Sequence, residues 1–199
     1  MSKIKRCLFV SFLICIIGAW PAVLAAKREN PTEQVKLKNY EKKCVLYTIY
    51  RGDYKQMGRT VRNLYFGAAS KDIKILSTPT YIYLNNPKDF SSEHWLTEIR
   101  LDVKPEALEH AGKLGPMTDV KEVPSFKAAA AIKPQGVADP NSIFEKLHQW
   151  IADNGYAAAG GPMETILIGA TNADYENVKS EIAIPVMKLK SEDKTTTNP

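Results

Sequence analysis

The chain has 199 residues, 44% of them hydrophobic and 25% charged, with 11 Gly, 12 Pro and three Cys. That mixture excludes disordered, low-complexity, collagen-like and coiled-coil chains as well as a disulfide scaffold, and the length suits one domain or two small ones. The formal net charge of +5 invites a nucleic-acid partner only until the charges are placed.

Lys3, Lys5 and Arg6 precede an apolar run from Cys7 to Ala19, followed by Trp20-Pro21 and Ala22-Val23-Leu24-Ala25-Ala26. A basic end, an apolar stretch, a helix breaker and small residues form the order of a secretory signal cut after Ala25. Residues 1–26 hold three of the 27 basic residues and no acid, which leaves 24 basic against 22 acidic residues. The positive charge therefore belongs largely to the leader, and no nucleic-acid partner is expected. Cys7 to Ala26 would span about 30 Å as a helix, so an uncleaved anchor is the alternative. The expectation is export, periplasmic or secreted, with the N-terminal segment as the membrane contact if it is retained. Of the three Cys only Cys44 follows the cut, so the exported chain can form no internal disulfide.

Residues 27–43 show no helical or strand periodicity and read as a solvated polar tether. Cys44–Tyr50 is rich in β-branched and aromatic residues and reads as a strand stopped at Arg51-Gly52. Asp53 is a candidate N-cap for a helix whose apolar face is Tyr54, Met57, Val61, Leu64, Tyr65 and Ala68. Pro79 opens a strand over Thr80–Leu84, and Leu96–Val103 alternates as a third. Ser125–Ile132 is a strand ended near Pro134-Gln135-Gly136. Asp139-Pro140 then starts a helix with Ile143, Phe144, Leu147, Trp150 and Ile151 on one face, closed by Asn154-Gly155. Pro162 opens the strand Met163–Ile168, Ser180–Met187 forms the last, and residues 190–199 read as a disordered tail.

The second half repeats the first. Gly52 to Pro79 is 27 positions and Gly136 to Pro162 is 26, while Pro79 to Glu98 and Pro162 to Glu181 are both 19. Two strand–helix–strand–strand modules, 44–103 and 120–189, are the simplest account. Neither module could bury its sheet alone, so one α+β domain over 44–189 is expected.

Tyr50-Arg-Gly-Asp-Tyr54, Tyr83-Leu-Asn-Asn-Pro87, Trp95–Val103, Asn154-Gly-Tyr156, Gly160-Gly-Pro162 and Glu181–Val186 together resemble the GyrI-like small-molecule-binding domain. This is the effector-binding part of AraC- and MerR-type regulators. The resemblance covers residues 44–189 and extends to a eukaryotic relative, the testis-expressed ER-phagy receptor, which carries such a domain behind a hydrophobic segment. It implies an antiparallel sheet with helices packed on it, two modules about a pseudo-two-fold axis, and a central pocket at their junction.

Glu181 matches the family's pocket carboxylate and Glu98 its duplicate. Glu181 alternates with Ala183 and Pro185 on one strand face, where a carboxylate is costly to bury unpaired and attracts a lipophilic cation. The alternative is a rim residue bonded to solvent. Arg100, two residues from Glu98 on the same face, is placed to neutralise it. Tyr81 and Tyr83 share a strand face, and with Tyr47 and Trp95 they are candidates for an aromatic pocket wall, core packing being the alternative for each. His94, His110 and His148 lack ligand spacing, and no phosphate loop, dinucleotide fingerprint or nucleophile motif appears, so no metal or cofactor is expected. The reading is an exported, stand-alone domain that binds an amphipathic or cationic small organic molecule. The alternatives are a hydrolase using Glu181 and Glu98, and a membrane-tethered interaction module. Catalysis is the lesser expectation, and no feature points to an oligomeric state.

Overall fold

The computed structural model describes residues 34–136, 141–168 and 178–190. The leader or anchor, the start of the tether, the Asp139-Pro140 cap and the tail from residue 191 lie outside them. Eleven regular elements follow in chain order: β1 (Lys36–Tyr40), β2 (Lys43–Arg51), α1 (Gly58–Ala69), β3 (Thr80–Tyr83), β4 (Leu96–Val103) and β5 (Thr118–Val123), then β6 (Phe126–Lys133), α2 (Asn141–Asp153), β7 (Tyr156–Ala158), β8 (Met163–Ile168) and β9 (Lys179–Lys188). Asp53 caps a 3-10 turn over Tyr54–Gln56, accepting from the Lys55 amide, and α1 begins beyond it.

The strands form one curled antiparallel sheet in the order β1-β6-β9-β8-β3-β4-β2-β5, with β7 paired to β9. Counted from the middle outwards, β8-β9-β6 on one side mirrors β3-β4-β2 on the other. Both helices lie on one face. Leu64 and Ala68 of α1 meet Leu46, Ile99, Leu101 and Val103. Ile143, Leu147 and Ile151 of α2 meet Ala129, Ala131, Ile182, Ile184 and Val186. The ladder partners Ile99↔Tyr81, Tyr81↔Glu164 and Glu164↔Ile182 carry that face across the centre. The other face holds a third cluster of Ile82, Ala128, Ala130, Met163 and Ala183 under the stacked rings of Tyr40 and Phe126.

One expectation is corrected. The segment 27–43 is not tether throughout, because Lys36–Tyr40 forms β1, paired residue for residue with β6 from Lys36↔Ala130 to Tyr40↔Phe126. Its side chains are mostly exposed, so it carries no apolar pattern; the strand exists because β6 offers an edge and Tyr40 a ring to stack. The folded unit thus starts before residue 44. Among the described residues no helix is long and apolar enough to cross a membrane.

Candidate ligand site at the centre of the sheet

The two halves meet where β3 pairs with β8, with Thr80 opposite Thr165, Tyr81 opposite Glu164 and Ile82 opposite Met163. The Thr80 and Thr165 hydroxyls bond each other at 3.0 Å across the joint. α1 packs on β2, and α2 on β6, β7 and β9, so the central pair lies between the helices on their face of the sheet.

Glu164 is the acid of this junction and is only 3% exposed. Tyr83 donates its hydroxyl to Glu164 Oε2 at 2.7 Å, and Ser180 donates to Oε1 at 2.6 Å. The Lys133 ammonium, equally buried, lies 3.1 Å from Oε1. A carboxylate out of water needs such donors on both oxygens and a countercharge. The sequence reading passed over Glu164. Its signal was an ionisable residue in phase with Ile166 on a strand whose only other polar residue is Thr165.

Beside this cluster stands an aromatic group. Tyr54 packs against Tyr83 at 5.2 Å between centroids, tilted by 58°, and against Trp95 at 4.5 Å and 26°. Trp95 is anchored by its indole N–H, which donates to the Phe90 carbonyl at 3.0 Å. Tyr81 is buried in the core under α1. The Tyr54 hydroxyl is buried with no hydrogen-bond partner among the described residues, and burial raises its pKa. Buried hydroxyls are nearly always bonded, so this one needs a partner that the described residues do not supply.

The candidate residues read from the sequence divide between the two faces. Tyr81, Tyr83 and Trp95 belong to the helix side with Glu164. Glu98, Glu181 and Tyr47 lie on the helix-free side, since Ile49↔Glu98 and Tyr47↔Arg100 are out of phase with the core pair Thr48↔Ile99. The structure therefore does not bring Glu181 to the tyrosines. Arg100 does neutralise Glu98, its Nε donating to Oε1 at 2.5 Å, and Lys121 Nζ lies 2.7 Å from the same oxygen. Lys121 also sits 4.0 Å from the Tyr47 ring centroid. Glu181 is held by Lys38 and by the Tyr40 hydroxyl, both from β1.

No sequence-family model matches the chain, and no curated protein is similar enough in sequence to match it. Solved structures do. The EcmrR C-terminal domain is 18% identical, with a TM-score of 0.65 over 78% of this chain and 98% of that one. EcmrR in its DNA complex gives 17% identity and a TM-score of 0.65, but here 78% of this chain spans only 58% of the EcmrR chain. A hydrolase from Listeria innocua is 12% identical, with a TM-score of 0.61 over 79% of this chain and 94% of that one. At these identities the likeness is one of fold, and it agrees with the strand order and the helix placement described above. The chain accordingly has the fold of the GyrI-like effector-binding domains, as the resemblance in its sequence implied.

Proposed function

We propose that this domain binds a small amphipathic organic molecule on the helix face of β3 and β8, between α1 and α2. The observation that carries the reading is the orphaned Tyr54 hydroxyl, buried against Tyr83 while Tyr83 bonds the buried Glu164. Aromatic rings with a few convergent polar groups are the ordinary make-up of a small-molecule site. The carboxylate of the site is then Glu164 rather than Glu181, and the wall is Tyr54, Tyr83 and Trp95, with Tyr81 packed in the core beneath. The mirrored strand order supports a duplicated module, with the site at the join.

Calorimetric titration with a panel of aromatic amphiphiles, charged and uncharged, tests this. Binding weakened by Tyr54→Phe and by Glu164→Gln supports it; no binding by any member, or binding indifferent to both substitutions, overturns it. The Tyr83–Glu164 bond also leaves room for the hydrolytic alternative, because a carboxylate can orient water as a general base. Turnover of an electrophilic substrate that is lost in Glu164→Gln would move the reading to catalysis. Export remains part of the proposal, and it rests on the leader's order of charge, apolar run and small residues. N-terminal sequencing of the fractionated protein decides between a soluble chain starting at Ala26 and an anchored one starting at Met1.

A further inference from the structure

Building on the small-molecule reading above, we infer that the ligand class is uncharged rather than cationic, because every acid that the central strands offer already holds a cation of its own. Glu164 has Lys133 at 3.1 Å. Glu98 has Arg100 at 2.5 Å and Lys121 at 2.7 Å, two cations for one carboxylate. Glu181 has Lys38 at 2.7 Å, and Asp102 has Lys43 at 2.8 Å. These are all the carboxylates of β4, β8 and β9.

The pairing matters most at Glu164, where both partners are almost wholly out of water. A cationic ligand would find no net negative charge there. To use the carboxylate it would have to compete with the Lys133 ammonium and break a buried ion pair, which is costly in a protein interior. An uncharged amphiphile meets no such cost. It can stack on Tyr54 and Trp95 and bond the Tyr54 hydroxyl while the Glu164–Lys133 pair stays intact. Lys133 is thus a specificity-determining residue, acting through Glu164.

The test compares two probes of similar shape, tetraphenylphosphonium and the uncharged triphenylphosphine oxide, by calorimetry on the wild-type chain. The expected result is that the oxide binds at least as tightly as the phosphonium. A preference for the phosphonium of about tenfold or more, roughly 1.4 kcal/mol, overturns the inference while leaving the small-molecule reading in place. Binding of neither probe or of any panel member overturns that reading, and the inference with it. Lys133→Met then unmasks Glu164, and the ratio should swing about tenfold or more towards the phosphonium. An unchanged ratio in a variant whose circular dichroism is native removes Lys133 from the argument. If Lys133→Met does not fold, the wild-type ratio decides alone.

Discussion

Lys38 holds both oxygens of Glu181, its ammonium 2.7 Å from Oε1 and 2.8 Å from Oε2, across 143 positions of sequence. The Tyr40 hydroxyl adds a third bond at 2.7 Å. Lys38 is half exposed, so its pair is screened and should contribute little, on the order of 0.5 kcal/mol. The Tyr40 bond is better shielded. Tyr40→Phe keeps the ring stacked on Phe126 and removes only the donor, so it isolates that bond. It should cost about 1–2 kcal/mol in urea unfolding, several times the effect of Lys38→Ala. Equal losses would show that the two bonds do not differ in shielding.

The same phenol gives a pH dependence. Burial, then the bond to the Glu181 carboxylate and its charge, raise the Tyr40 pKa far above its ordinary value of 10.0. The folded state therefore keeps a proton that the unfolded chain releases near pH 10. Tyr40 contributes its full stabilisation below that pH and loses it as pH rises past 10 towards the folded value. Tyrosinate absorbance should show this phenol ionising only as the protein unfolds. Tyr40→Phe should flatten the alkaline limb of the stability curve. A wild-type limb as shallow as that of the variant would contradict the assignment.

Two glycines should respond in opposite directions to alanine. A Cβ at Gly161 would sit 2.5 Å from the Tyr83 carbonyl oxygen, at the joint where the Tyr83 amide donates to the Pro162 carbonyl at 2.9 Å. Gly161→Ala must push β3 from the start of β8, and should lower stability by about 2 kcal/mol or more. Gly67 lies within α1, where a Cβ meets nothing within 4 Å. Gly67→Ala should gain about 0.5–1 kcal/mol. Thermal melts of the two variants check both signs.

What could be read in the sequence follows from how local each signal is. Leu96–Val103 and Met163–Ile168 have the bounds expected of them, because alternation and Pro or Asn punctuation mark their ends. β1 was missed because Lys-Leu-Lys-Asn-Tyr becomes a strand only through β6, some ninety positions later. β7 is three residues long, too short for any period to show. The division of the candidate residues has the same origin. Alternation places Glu181 opposite Ile182 within β9, but only the register between strands decides that Tyr81 lies with Ile182 and not with Glu181. Arg100 could be paired with Glu98 because both lie on one strand. Lys38, Lys121 and Lys133 reach their acids from other strands.

The Glu164–Lys133 pair should behave as a unit. Each partner is nearly fully buried, and Glu164 also takes the Tyr83 and Ser180 hydroxyls. Glu164→Leu takes away the carboxylate that the Lys133 ammonium and two hydroxyl donors face, and Lys133→Met takes away the cation that the carboxylate faces. Each single change should cost about 3–5 kcal/mol. The double variant leaves no charge behind and replaces both groups by apolar ones of similar size, so its loss should fall well below the sum of the two, by a coupling of about 2 kcal/mol or more. Denaturant unfolding of the four proteins gives that coupling directly. Additive losses would mean that the two charges do not neutralise each other in the fold, and the lysine would then no longer explain why a cation is refused at this carboxylate.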